Sequence, residues 1–263
     1  MAAIRITLVA IALTMPFRMA ADINPPTPIY TTASIVNAAS YSAAALAPNT
    51  IASIYGANLA FSTQALTPAT MTGGGLPIEL NGVGVYIGGY SAGLYYVSPT
   101  QINLLIPNVL TPGVYPLAVI RDGFAGPPVS ITLNLTGPAL FADNFGNVVA
   151  QHLDGSLVTS AAPGNPGEWV VLYALGLGRT IPDAQIYVAS ESAAPIANIN
   201  QFALQLNGVG LPPANIYYAG ITPNFAGLYQ INLLIPLNSP ATPQIQISIG
   251  TAVSAGPTQL PVS

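Results

Sequence analysis

Gln101-Ile102-Asn103-Leu104-Leu105-Ile106-Pro107 recurs unchanged as Gln230-Ile231-Asn232-Leu233-Leu234-Ile235-Pro236, and the recurrence makes the chain a tandem duplication. The flanks agree in order. Leu80-Asn81-Gly82-Val83-Gly84 returns as Leu206-Asn207-Gly208-Val209-Gly210, and Leu94-Tyr95-Tyr96 returns as Ile216-Tyr217-Tyr218. Upstream, Pro48 to Leu59 aligns with Pro166 to Leu177, which sets Tyr55 on Tyr173. The offset is 126 residues at the Asn-Gly block, 122 at the tyrosine pair and 129 at the heptapeptide. The first copy therefore carries four extra residues around Gly89-Tyr90-Ser91-Ala92-Gly93, and the second carries seven around Pro223-Asn224-Phe225-Ala226-Gly227. Insertions confined to Gly- and Pro-containing stretches, with the apolar runs intact, are what loops between strands produce.

The segments between those loops read as strands. Ile51 to Tyr55 is a short β-branched and aromatic run closed by Gly56, and its partner Trp169 to Tyr173 is a continuous apolar run closed by Gly176 and Gly178. Val83 to Ile87, Leu94 to Val97, Ile102 to Ile106, Tyr115 to Ile120 and Val129 to Leu135 follow in the first copy. The second copy answers with Phe202 to Leu206, Ile216 to Ala219, Ile231 to Ile235, Ile245 to Ile249 and a final strand near Gln259 to Val262. Prolines at 107, 112, 116, 236, 240 and 243 deny long helices there, and only the Ala-rich piece Ala38 to Leu46 has helical character. Asn147 to His152 and Ser156 to Thr159 flank Asp154-Gly155, a type I′ turn pair, so residues 146–160 are expected to form a hairpin. The expected fold is all-β, two tandem immunoglobulin-like β-sandwiches spanning residues 31–137 and 138–263, packed without a flexible linker.

Composition excludes several functions. The 263 residues contain no Lys and 5% charged residues, while apolar residues make up 51%. From Asp22 onward two arginines face eight acids, too few cations to neutralise a phosphate backbone or to form a polybasic membrane site. Cysteine is absent, which removes disulfides and thiolate metal sites. Met1 to Ala21, with Arg5, an apolar run from Ile6 to Phe17 and a small-residue end, reads as a signal peptide. That run is too short to span a bilayer, so no membrane span is expected in the mature chain, and Pro-rich residues 22–30 read as a spacer.

Asn37-Ala38-Ala39-Ser40-Tyr41, Ile51 to Leu59, Tyr96 to Asn103, Asp154 to Thr159 and Ala226 to Asn232 together resemble an uncharacterised C-terminal domain of secreted proteins from Solibacter and other Acidobacteria. One departure is Asn49, where that family continues Pro48 with Gly; one turn residue replacing another is expected to matter little. Each half is also similar to the IPT/TIG immunoglobulin-like fold, through a strand ending in Tyr-Gly-x-Asn-Leu, a later Asn-Gly turn and a Pro-ended strand followed by Gly-Val-Tyr-Pro. The second resemblance implies an extracellular or periplasmic interaction module, and neither lends an activity.

The candidate sites have competing accounts. Gly89-Tyr90-Ser91-Ala92-Gly93 fits the nucleophile-elbow pattern, with Asp143 and His152 following in hydrolase order, but a strand rather than a helix is expected after Ser91. A glycine-rich hairpin is the plainer reading. His152 is the only histidine, and the acids, Asp143 and Asp154 among them, form no calcium-loop motif, so neither metal nor cofactor is expected. Met71 to Gly75 and Gly176 to Gly178 lack the remaining residues of nucleotide loops and read as turns, and Asn134-Leu135-Thr136 is a sequon by pattern only. The tyrosines are the more informative group. In Tyr95-Tyr96 and Tyr217-Tyr218 strand alternation is expected to send one ring to the core and one to the surface. Tyr90, Tyr96 and Tyr218 are the candidate ligand-binding residues, because aromatic surface with amide donors and little charge suits a neutral polysaccharide or a protein. Ordinary sandwich packing with solvated rings is the alternative account.

The resulting expectation is an exported, non-catalytic interaction or structural module at the bacterial cell surface. Binding of neutral polysaccharide through surface tyrosines is its first alternative, and a serine hydrolase using Ser91 and His152 the remote one. Edge strands without lysine to guard them make self-association a further expectation.

Overall fold

The computed structural model describes residues 26–71, 73–256 and 258–263; the expected signal peptide and the start of the spacer lie outside them. Four antiparallel sheets form two β-sandwiches in tandem. In the first, a five-stranded sheet runs Ile35–Asn37, Ile51–Tyr55, Gln101–Leu105, Gly93–Val97, Gln64–Ala65. It faces a six-stranded sheet built around Gly113–Arg121 and Val83–Ile87. In the second, Trp169–Leu175, Tyr229–Leu234 and Ile216–Ile221 form the middle of a six-stranded sheet, which faces a five-stranded one centred on Phe202–Leu206 and Gln244–Ile249.

The register follows from the period-two alternation of the strands. Ile102 and Leu104 are fully buried against Ile54, Val85 and Val119, while Gln101 and Asn103 point the other way. The duplicated stretch repeats this, with Ile231 and Leu233 buried against Leu172 and Ile247 and with Gln230 and Asn232 outside. Each fully buried Ile or Leu is worth about 1.5–3 kcal/mol of apolar transfer. The two cores are separate clusters, so each sandwich has its own interior.

Turn chemistry pins the hairpins. Asn81-Gly82 (φ 53° and 72°) joins Leu80 to its partner Val83, and Asn207-Gly208 (47° and 77°) joins Leu206 to Val209 in the same way. Both central residues are left-handed, as a two-residue type I′ loop requires. Asp154-Gly155 departs from the expected I′ pair. Only Gly155 is left-handed there, and the turn closes from the Gly155 N–H to the His152 carbonyl. Asp154 instead accepts the Ser156 N–H at 2.9 Å through Oδ1, a local side-chain bond that competes with the I′ geometry.

Both tyrosine pairs break the expected alternation. A β-bulge falls between Leu94 and Tyr96, and another between Ile216 and Tyr218. The extra residue lets Leu94 and Val97, three apart, both enter the core, so Tyr95 and Tyr96 stay outside it. Tyr217 and Tyr218 lie outside likewise, between Ile216 and Ala219.

Residues 26–30 are packed rather than free. Ile29 bridges to Ala57, the Tyr30 hydroxyl accepts the Val119 N–H at 2.9 Å, and the buried Arg121 guanidinium donates to the Pro26 carbonyl at 2.5 Å and the Asn58 carbonyl at 2.7 Å. Arg121 also lies 4.0 Å from the centre of the Phe61 ring. The Ala-rich piece is a 3₁₀ turn, Ala43–Ala45.

The two insertions lie along the seam between the sandwiches. In the first copy, the Ser91 carbonyl accepts the Tyr187 hydroxyl. In the second, Ala226 packs with Leu76 and Leu105, and its carbonyl accepts the Tyr95 hydroxyl. Buried Tyr229 crosses the same seam, accepting from Asn49 Nδ2 at 3.1 Å and donating to the Gly178 carbonyl. Asn49, at φ 60°, thus supplies an inter-sandwich bond that glycine could not, and the expectation that its presence matters little is corrected.

Candidate functional site

The outward residues of the duplicated stretch build a polar row. Tyr55 lies opposite Gln101 and Ser53 opposite Asn103 on neighbouring strands. The Ser53 hydroxyl donates to Asn103 Oδ1 at 2.9 Å, and Gln101 Nε2 donates to the same oxygen at 2.8 Å. With Oδ1 saturated, the Asn103 Nδ2 hydrogens and the Gln101 side-chain oxygen Oε1 have no protein partner among the described residues. They are a donor and an acceptor held in place by their neighbours.

Aromatic side chains enclose that row. Tyr41, Tyr55 and Tyr95 flank it on the first sandwich, and Phe141 and Phe225 face it from the second, leaving a groove of about 420 Å³. Its lining contains no carboxylate, imidazole or cation. Burial is the main cause that pushes the Tyr95 phenol above its usual range, so it stays a neutral donor to the Ala226 carbonyl. A larger cleft, about 740 Å³, runs along another part of the seam between Asn134–Pro138 and Ile249–Val253. It has no aromatic lining, and so lacks the stacking surface that gives the smaller groove its chemistry.

The three tyrosines named from sequence do not converge on the groove. Tyr90 is half exposed on the facing sheet, in the two-residue strand Tyr90–Ser91. Tyr96 lies on the outer side of the groove's own sheet but does not line the groove. Tyr218 belongs to the second sandwich, where its hydroxyl donates to the Ile221 carbonyl and accepts the Ala194 N–H. Ser53, Asn103, Tyr41 and Phe225, which line the groove, are not among the candidates that the sequence singles out. Reading the Gln-x-Asn pair as the outward half of an alternating strand would have found Asn103, and Ser53 with it.

The nucleophile-elbow pattern is a hairpin. Gly88 and Gly89 form the turn between Ile87 and Tyr90, and Ser91 sits in a strand opposite Tyr86. His152 is engaged elsewhere, with Nδ1 2.5 Å from Glu168 Oε1 and Nε2 3.2 Å from the Ala162 carbonyl. The Glu168 bond raises the imidazole pKa against the opposing effect of burial. Burial by itself would raise the Glu168 carboxyl, but bonds from His152 and Asn165 outweigh it and hold it low. Asp143 accepts from Asn147 and from the Phe145 N–H, a loop-closing arrangement that lowers its pKa, the Asn147 side chain contributing most. No group of three or more His, Cys, Asp and Glu residues able to hold a metal occurs among the described residues. The Asn134 side-chain amide donates to the Ala44 carbonyl at 2.8 Å.

No family model matches the chain, and no curated protein matches it. Among solved structures it is similar to the surface glycan-binding protein PbSGBP-B from Prevotella bryantii, at 14% identity over 89% of this chain and 42% of that one, with a TM-score of 0.28. It is also similar to the SGBP-B of a Bacteroides ovatus mixed-linkage glucan utilization locus, solved with a mixed-linkage heptasaccharide (13% identity, 83% and 42% coverage, TM-score 0.35). A third is SGBP-B from a complex xyloglucan utilization locus in Bacteroides uniformis (11% identity, 90% and 50% coverage, TM-score 0.25). The chain spans half or less of each of these proteins. Scores this low carry no function across. No helix among the described residues is long and apolar enough to cross a membrane.

Proposed function

We propose that the protein is a non-catalytic module that binds neutral polysaccharide in the aromatic groove beside Ser53, Gln101 and Asn103. The observation that supports this is the groove's combination of unpartnered amide groups with aromatic walls and no charge. A pyranose ring has apolar C–H faces that stack on aromatic rings and rim hydroxyls that both donate to and accept from amides. It brings no charge that would need a counter-ion. A nucleotide or an acidic peptide would find no cation here. Export follows in the same proposal from the leader-like residues 1–21, and so does kinship with the secreted Acidobacteria domain and the IPT/TIG fold, from the motifs quoted above.

Affinity electrophoresis of the full chain through gels containing soluble mixed-linkage β-glucan, xyloglucan or galactomannan tests the reading. Retention by at least one is expected, weakened about tenfold by Asn103→Ala, the equivalent of losing about 1.4 kcal/mol. Tyr55→Ala should act in the same direction. No retention on any gel would end the proposal, and retention that both substitutions leave intact would remove it from this groove.

A further inference from the structure

The duplication gives the second sandwich a face equivalent to the groove floor. The alignment places Trp169 on Ile51, Val171 on Ser53, Tyr173 on Tyr55 and Tyr217 on Tyr95. Register agrees, for Tyr173 lies opposite Gln230 and Val171 opposite Asn232. The amide pair is also repeated: Gln230 Nε2 donates to Asn232 Oδ1 at 3.1 Å.

The two faces differ in what covers them. On the first, Ile51 and Leu105 meet Ala226 and Leu228, and Tyr95 is bonded to the Ala226 carbonyl. On the second, Tyr217 is 81% exposed. Trp169 replaces the docked isoleucine, and its ring lies 6.0 Å from that of Tyr217 at 73°. Trp169 is the only tryptophan of the chain, yet it is outside the core cluster of its own sandwich. The titratable pair on the adjoining strands, His152 and Glu168, points away from this face. His152 pairs with Val170, whose side chain is in the core, and its partner Glu168 is on the same side of the strand.

We propose that this face, around Trp169 and Tyr217, is a second and independent binding site for the same kind of neutral polysaccharide chain; the inference rests on the reading given for the groove. A second copy of this protein fits the face less well. The segment that covers the equivalent face, residues 223–228, is already engaged with its own first sandwich, whereas an edge-to-face aromatic pair beside a fixed amide pair offers a sugar ring both stacking and hydrogen bonds. Two such sites on one chain would raise retention on a long polymer beyond what either gives with a short one.

Because Trp169 is the only tryptophan, its emission reports on this face, and the groove contains none. Titrating the full chain with soluble mixed-linkage β-glucan, xyloglucan and galactomannan should give a saturable change in tryptophan emission with the retained polymer. Tyr217→Ala, at an exposed position, should weaken the fitted affinity about tenfold. Asn103→Ala should leave the emission response in place while lowering retention. Retention without any emission change would overturn the second site and leave the groove standing. An emission change untouched by Tyr217→Ala, or abolished by Asn103→Ala, would also overturn it. Silence in both assays on every polymer would remove both sites.

Discussion

Replacing Tyr229 by Phe removes one oxygen from the seam and leaves the ring where it is. That oxygen is fully buried, accepts from Asn49 Nδ2 and donates to the Gly178 carbonyl. Burial holds the phenol well above its usual pKa, with the Asn49 bond partly offsetting that, so it remains protonated wherever the fold is stable. Without it, both hydrogen bonds are lost and their buried partners, the Asn49 amide and the Gly178 carbonyl, are stranded at about 1–2 kcal/mol each, about 3 kcal/mol in all. For a chain of this size about 3 kcal/mol lowers Tm by roughly 6–9 °C. Differential scanning calorimetry of wild type, Tyr229→Phe, Asn49→Gly and the double variant measures it. Glycine accepts the φ of 60° at Asn49 without strain, so that substitution isolates the side chain. The two changes should be strongly non-additive, since either one alone dissolves the bond. A Tm shift below about 1 °C, or an additive cycle, would show that water reaches this hydroxyl and that the seam described above is not closed in solution.

Gly227→Ala tests the insertion at the same seam. Its φ is +71°, and a Cβ would sit 2.3 Å from Cδ1 of the buried Leu105 and 3.0 Å from the Asn49 carbonyl oxygen, so it should destabilise by about 2–4 kcal/mol, strain and overpacking together. Gly123→Ala, at φ +83° in open space, should lose only the backbone component of about 1 kcal/mol, and equal losses in urea unfolding would refute the clash. The His152–Glu168 pair predicts a pH limb. A raised imidazole pKa contributes stability that is complete below its unfolded value of about 6.5 and fades as pH rises through the folded one. Glu168, held low, gives its share above its unfolded value and loses it only as pH falls through the folded one. Urea unfolding from pH 5 to 9 should show the alkaline decline in wild type and a flatter curve in His152→Gln, and identical curves would count against it. An active-serine probe should leave Ser91 unlabelled, and Ser91→Ala should bind polysaccharide as wild type does; labelling would reopen the hydrolase reading.

Strand positions were legible because apolar runs and Asn-Gly pairs act locally. Phe202–Leu206 was placed to the residue, while Gly113–Arg121 extends beyond the expected Tyr115 to Ile120, its end pinned by the left-handed Asp122-Gly123 turn. The tyrosine pairs were misread because alternation assumes an unbroken register, and a bulge is a property of two strands rather than of one. The insertions were recognised as loops. That they meet the opposite sandwich could not be read from one copy alone, for their contacts lie far along the chain, Tyr95 with Ala226 and Ser91 with Tyr187. The groove was half visible. Its chemistry, amides among aromatics without charge, was named from composition, but the residues that supply it are assembled by strand register and by the seam.

The bonds across that seam come from phenols, carboxamides and peptide groups, and neither ion pair among the described residues crosses it. Mobile ions screen charges and leave neutral dipoles in contact almost untouched. The relative pose of the two sandwiches should therefore be as well kept in brine as in dilute buffer, and the spacing between the two faces proposed above to bind polymer would not change with salt.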